Sequence, residues 1–412
     1  MTWERVKVGS ISKQVRGVAY DKADLSPDAS ETHHAVVRAN NIQDGEVVLD
    51  DLVFVSTKKL SPQQYLREGD VLIAASSGSL SAVGKAARVR KGMDVAFGAF
   101  CKVIRPNHGE VDLGYFAHYF QSQQYRSTIS SLAQGANINN IRNEHINNLE
   151  IPLPPLPVQQ RIAAVLDEVD ALRQKRDRSI NSLEALRESA YILHLSENQA
   201  SSTRVRVSEL IDPHRGGMRT GPFGSQLLHS EFVDDPGGIM VLGIDNAVKN
   251  RFRYTGERFI TPEKYEGLRR YTVHPGDVLV TIMGTCGRAA IVPSDIPTAI
   301  NTKHLCAMTL NERCLPEYLH ATLTYNHSVL KQMGASARGA IMDGLNMGII
   351  SGLEFDLPDI SNQRKLQQVF AEIDSLNNKA LHARGIEDAL LSSIQTRAFS
   401  GELALRDLEA LL

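Results

Sequence analysis

The sequence predicts an α+β protein: two pseudo-symmetric mixed α/β domains joined by two long helices that pair as an antiparallel coiled coil. Three observations predict it. The chain repeats itself with a period of about half its length, each copy ends in a long apolar-periodic stretch, and each copy begins with short strands punctuated by Gly, Ser, Asn and Pro.

The repeat is plainest toward the end of each copy. Gly135-Ala136 recurs as Gly339-Ala340, 204 positions later, and that offset then holds without a gap. Leu149-Glu150 matches Leu353-Glu354, Leu153-Pro154 matches Leu357-Pro358, and Gln159 matches Gln363. Upstream the match continues with small shifts. Arg5-Val-Lys-Val8 resembles Arg204-Val-Arg-Val207, Arg38-Ala-Asn-Asn41 lines up with Gly243-Ile-Asp-Asn246, and Gly69-Asp-Val-Leu72 resembles Gly276-Asp-Val-Leu279. The shifts mark loops of unequal length. So long a period is not that of a solenoid; it implies two copies of one domain.

Four segments follow: a first mixed domain at 1–150, a helix at 151–200, a second mixed domain at 201–354, and a second helix with a tail at 355–412. Strands are expected at Val47-Val-Leu49, Leu52–Val55, Val71–Ile73 and Val278–Val280, and short helices at Gly114–Tyr125 and Pro316–Tyr325. From Val158 to about Leu195 there is no Gly or Pro. Ile162, Val165, Val169 and Leu172, then Leu183 and Leu186, fall in one heptad frame; Leu366, Val369, Ile373 and Leu376 repeat it. Such a narrow seam needs a partner in water. The nearest equivalent surface is the other copy's helix, so these residues are assigned to helix pairing, which would hold the mixed domains at opposite ends of a rod. The alternative is that each helix packs only on its own domain. The proline run Pro152–Pro157 ahead of the first helix is read as a stiff hinge.

Composition excludes several classes. The 42% hydrophobic and 22% charged fractions are those of an ordinary globular chain. Met1–Ser10 has no apolar core, and no apolar run is long enough to span a bilayer. The four cysteines lack C-x-x-C spacing, which disfavours a disulfide framework or a zinc knuckle. A reduced, cytoplasmic protein is the simplest expectation. A net charge of −2 weighs against nucleic-acid binding, although acidic helices can mask a basic face.

No motif for chemistry emerges. Gly78 to Gly84-Lys85 misses the phosphate-loop spacing, and Ala86 follows where a hydroxyl is needed. Leu153-Pro-Pro-Leu156 lacks the polar and aromatic ends of a base-gripping methyltransferase loop. Cys101 and Cys306 are flanked by apolar residues and read as core positions of equivalent strands. No catalytic residue and no metal site are assigned.

What recurs is a polar, cationic loop pattern. The first copy offers Ser76, Ser77 and Ser79 before Lys85 and Arg88, then Asn137, Asn139 and Asn140 before Arg142. The second offers Gln226, Thr285 with Arg288, Lys303-His304, and Ser336 with Arg338. Hydroxyl, amide, imidazole and cationic groups on Gly-rich loops suit phosphate and base-edge contacts, the plainer alternative being solvated loops.

The whole chain resembles the specificity (S) subunit of Type I restriction–modification systems. The resemblance lies in the twice-occurring Gly-Asp-Val-Leu before a Gly-rich loop, in Gly221-Pro-Phe-Gly-Ser-Gln-Leu227, in the Leu-Pro segment with Gln159 or Gln363 before a long helix, and in the closing Arg397-Ala-Phe-Ser-Gly-Glu-Leu403. Asp359–Asn362 departs from it, lacking the prolines of the first linker. The resemblance implies two target-recognition domains, each reading half of a bipartite site in double-stranded DNA, and helices that space them and dock two methyltransferase subunits, with restriction subunits as further partners. It places S-adenosylmethionine, ATP and magnesium on the partners and none on this chain. Two other classes stay open: an enzyme fused to such domains, and a non-catalytic two-headed scaffold that binds proteins only or serves another phage-defence methylation complex.

Overall fold

The computed structural model describes residues 3–77, 82–134, 140–214, 216–334 and 345–402. The chain forms two compact units, Met1–Arg178 with Leu381–Leu412, and Ser179–Ala380. Both boundaries fall inside long helices, Leu156–Asn198 and Ile360–Ser400. Each unit therefore holds one mixed domain plus a part of both helices, a grouping that cuts across the linear segments at 151–200 and 355–412.

Unit 1 is built on a six-stranded sheet in the order Ser12–Arg16, Cys101–Pro106, Val71–Ala74, Ala86–Arg88, Glu46–Val47, Ile42–Gln43. A four-stranded sheet (Ala96–Phe97, His33–Val37, Val53–Ser56, Leu25–Ser26) adds a second layer. Arg5–Lys7 pairs antiparallel with Glu150–Pro152 and ties the two ends of the domain together. Val71–Ala74 is buried along its whole length, which explains its unbroken apolar run. The expected helix near residue 114 is two, Leu113–Gln121 and Gln123–Gln134, broken at Ser122.

Unit 2 repeats the plan. Its sheet runs Met218–Thr220, Leu305–Met308, Val278–Thr281, Ala289–Ile291. The central pairing keeps register: Cys101 faces Ala74 in unit 1, and Leu305 faces Thr281 in unit 2. By that register Cys306 corresponds to Lys102, so Cys101 and Cys306 lie one position apart on equivalent strands. A single-residue offset turns a side chain to the other sheet face, and the two thiols sit in different core layers.

The repeated Gly-Asp-Val-Leu is explained by packing. Gly69 and Gly276 adopt φ of +84° and +82°, where a side chain is strained. The buried Asp70 takes two hydrogen bonds of 2.7 Å from Arg105 and one of 2.8 Å from Arg67 N. Asp277 is as buried, accepting from Arg219, from Thr309 Oγ1 at 2.6 Å and from His274 N at 2.8 Å. A buried carboxylate persists only when paired and hydrogen-bonded this fully. Asn41 and Asn246 form a second matched device, each buried and donating to two loop carbonyls. Gln159 and Gln363 form a third: each side chain bonds the backbone just before a domain helix and the proline carbonyl before its own long helix.

The helices pair antiparallel within each unit. In unit 1 Arg173 meets Asp388 at 2.9 Å, Arg176 meets Glu387 at 3.1 Å, and Arg384 meets Asp177 at 2.7 Å. In unit 2 Arg187 meets Asp374 at 2.5 Å. Ile162, Val165 and Val169 share a core with Leu391, Ile394 and Ala398, and Leu183 packs on a core containing Leu366 and Ile373. The strict heptad frame fails at Leu172, Leu186, Val369 and Leu376, which are 49%, 51%, 42% and 52% exposed. Leu166, Tyr191 and Phe370 are buried instead. The reason is that each helix segment packs on its own mixed domain as well as on the other helix. A straight helix also drifts ~20° per heptad from a 3.5-residue repeat, so the buried stripe widens and moves.

Candidate nucleic-acid interface

In unit 1 three backbone segments converge at one end of the sheet. Strand Ser12–Arg16 ends in Arg16-Gly17, pressed so closely on the next turn that a Cβ on Gly17 would lie 2.0 Å from Gly98 O. That turn, Gly98 to Cys101, is closed by Cys101 N donating to Gly98 O at 2.8 Å. The loop after Val71–Ala74 is held to it by Ala75 N and Ser76 N, both donating to Phe100 O, at 2.9 and 3.1 Å. Ser76 also bridges Asn140. The result is a cleft of about 590 Å³ lined by Arg16, Ser76, Phe100, Lys102, Asn140 and Arg142, among others.

The sequence offers Ser76 on one loop and Asn140 and Arg142 on another, and folding brings the three to one cleft. Sequence reasoning misses Arg16, Phe100 and Lys102, which become neighbours only through strand pairing. Lys102 Nζ donates to Ile141 O at 2.7 Å and Asn143 Oδ1 at 2.6 Å, holding the segment that carries Arg142. Burial first, and then the charge of Arg16, depress its pKa. Arg142 is exposed and, among the described residues, forms an ion pair with Glu144 at 3.4 Å.

Two predicted DNA contacts are elsewhere. Arg88 is only 15% exposed, and its guanidinium sits 2.5 Å from Asp167 of the first long helix. Arg90 and His118 bind the same carboxyl. Burial opposes its ionisation, but the His118 hydrogen bond and the charges of Arg88 and Arg90 hold Asp167 well below the ordinary carboxylate range. Arg88 is thus an anchor of helix to domain, because its charge is already paired. Lys85 is exposed in a separate cavity of about 370 Å³ with Asp170, Arg173 and Asp388. Ser77 is half-buried in the loop. Ser79, Asn137, Asn139, Ser336 and Arg338 lie outside the described residues.

Unit 2 assembles the same three segments. A Cβ on Gly221 would meet Asn301 O at 1.9 Å. The turn Thr302 to Leu305 closes through Leu305 N to Thr302 O at 3.1 Å, and Ile282 N donates to His304 O at 2.9 Å. Lys303 and His304 are half-buried on this turn. Burial, then Lys303 and Arg258, lower the His304 pKa. Gln226, on the loop after Gly221, is exposed and accepts from Tyr271 Oη at 2.7 Å. Thr285 and Arg288 are exposed on the hairpin loop, which is tied by Thr281 Oγ1 to Thr285 O and by Arg288 N to Thr281 Oγ1. Arg258 escapes the sequence reading because only folding brings it near His304.

Three of the four cysteines are buried. Burial pushes the Cys101, Cys306 and Cys314 thiols up to about 12, where they are inert. Among the described residues no group of His, Cys, Asp or Glu is placed to hold a metal ion, and no helix is long and apolar enough to cross a membrane.

A duplicated mixed domain with a polar, cationic loop end, carried on paired long helices, defines a class with solved members. The fold matches a chain from a study of complex assembly and conformational transition in the type I R-M system (TM-score 0.54, 17% identity, 98% of each chain). It also matches the crystal structure of the Type-I restriction-modification S subunit from M. genitalium (TM-score 0.53, 16% identity, 97% of this chain and 96% of that one). In sequence, residues 1–185 match the Type I restriction modification DNA specificity domain. The chain is 29% identical to the EcoKI specificity subunit of Escherichia coli (strain K12) and 28% identical to the StySPI specificity subunit of Salmonella potsdam, covering 97% of this chain and 89% of each relative. Over residues 1–185 the chain thus matches the family's DNA specificity domain, and over nearly its whole length it is similar to Type I restriction–modification specificity subunits.

Proposed function

We propose that this chain is the DNA-reading, non-catalytic subunit of a Type I methylation complex, and that each unit reads half of a bipartite site. The observation that carries this is the cleft joining Arg16, Lys102 and Arg142 to Ser76 and Asn140, with its counterpart around Lys303-His304. Cations there fix the phosphate backbone, and hydroxyl and amide groups meet base edges. A single such surface covers a few base pairs, so two linked ones are needed for specificity in a genome.

The chain passes between the units twice, at Arg178–Ser179 and Ala380–Leu381, each time inside a long helix. These helices set the gap between half-sites and dock two methyltransferase subunits, with restriction subunits as further partners. S-adenosylmethionine, ATP and magnesium belong to those partners, and the complex works in the cytoplasm. The test is methylation mapping with the purified complex. The expected target is two short blocks around an unread gap, and exchanging residues 204–350 for a relative's should change one block only. A heptad inserted after both Leu172 and Leu376 should change the gap and leave both blocks intact. Sequence-independent methylation, or methyl transfer by the chain alone, would refute the reading.

A further inference from the structure

We propose that one turn-tip residue in each unit, Phe100 in unit 1 and His304 in unit 2, is a half-site specificity determinant. Phe100 makes the apolar contact to a thymine methyl edge, and His304 hydrogen-bonds a base edge. The inference rests on the DNA-reading function above and names residues that carry it.

The two positions are structurally the same. Each precedes the first residue of the strand paired to the central one, Cys101 opposite Ala74 and Leu305 opposite Thr281. Each gives its carbonyl to the hairpin loop, from Ala75 N in one unit and Ile282 N in the other. Each sits on a turn backed by a glycine at whose position no side chain fits, Gly17 or Gly221. A tip held by its own backbone on a rigid sheet is positioned before any ligand arrives, so little ordering is left to pay for on binding.

The side chains differ where the pedestals agree. Phe100 is 68% exposed, more than any other large hydrophobic among the described residues. Nothing in the core requires a ring there, and it lies in a cleft lined with Arg16, Lys102 and Arg142. An isolated exposed leucine needs no explanation, but a phenylalanine presented amid cations suits an apolar contact on a polyanion's base edges. His304 offers a ring donor and acceptor at the equivalent place, and its lowered pKa favours the neutral ring that has both. A scaffold held constant under a changed tip is how two copies of one domain can read two different sequences.

The experiment compares wild type, Phe100→Ala, Phe100→Tyr and His304→Ala, each as the full chain in the assembled methyltransferase complex. Methylated sequences are mapped, and affinity is measured for the mapped duplex and for a scrambled one. Phe100→Ala should relax an A·T preference at one position of one half-site by on the order of 10-fold, leaving the other half-site and scrambled-duplex affinity unchanged. Phe100→Tyr, which keeps the ring, should retain the preference. His304→Ala should relax the opposite half-site. Unaltered sequence at both half-sites overturns the inference while leaving the DNA-reading function standing; so does an equal loss on mapped and scrambled duplex, which marks a general contact. A wild-type complex without salt-dependent duplex binding overturns the DNA-reading function, and this inference with it.

Discussion

Replacing Arg16 and Arg142 together by glutamine removes two exposed cations from the unit 1 cleft without touching the core. The expected size follows from counterion release. Each phosphate neutralised contributes ~0.9 to the slope of log affinity against log salt. If both arginines meet phosphates, the double variant's slope should be shallower by about 1.8. Between 50 and 200 mM salt the wild type should then lose about 12-fold more affinity than the variant. The Glu144 partner of Arg142 subtracts little, because both side chains are about 60% exposed and such pairs are weak. Lys85→Gln is the control, since Lys85 lines the other cavity. Fluorescence anisotropy with a fixed duplex across a salt series measures all of this. An unchanged slope in the double variant, or an equal fall in Lys85→Gln, would show that the cleft is not the phosphate-binding surface.

Other consequences concern stability. Asp70→Ala strands the Arg105 guanidinium against a buried site and should cost about 3–5 kcal/mol in urea unfolding; a loss under 1 kcal/mol would mean that Arg105 finds other partners. The His320 ring bonds Asn250 O at 3.0 Å and Ala289 O at 3.2 Å, and burial lowers its pKa to about 4. The unfolded chain takes up this proton at ~6.5, so the folded state is favoured above that pH and loses about 3 kcal/mol as pH falls toward 4. His320→Gln should flatten this part of the stability–pH curve, and an unaltered curve would assign the dependence to other groups. Gly385 lies exposed inside the second long helix with open space where a Cβ would go. Gly385→Ala should raise unfolding stability by about 0.5–1 kcal/mol, and a destabilised variant would imply that the helix is bent there.

The sequence by itself determined the duplication, the existence of both long helices, and the apolar strands beginning at Val71 and Val278. These are legible because a repeat, a 3.6-residue period and an unbroken apolar run are properties of neighbouring residues. Pro316–Tyr325 was legible to its ends for the same reason, with proline setting its start. Tertiary structure alone decided which helix positions are buried. Leu172 and Leu166 look alike in sequence, and the wall of the mixed domain chooses between them. It also decided the roles of the cations. Arg88 and Arg16 are both arginines next to a loop, yet one is spent on Asp167 and the other opens onto the cleft. That difference comes from pairings across dozens of residues, Arg16 opposite Lys102 and Arg88 opposite the long helix. A charge's function depends on what lies within a few ångströms of it, and those neighbours are set by long-range packing, which local sequence does not encode.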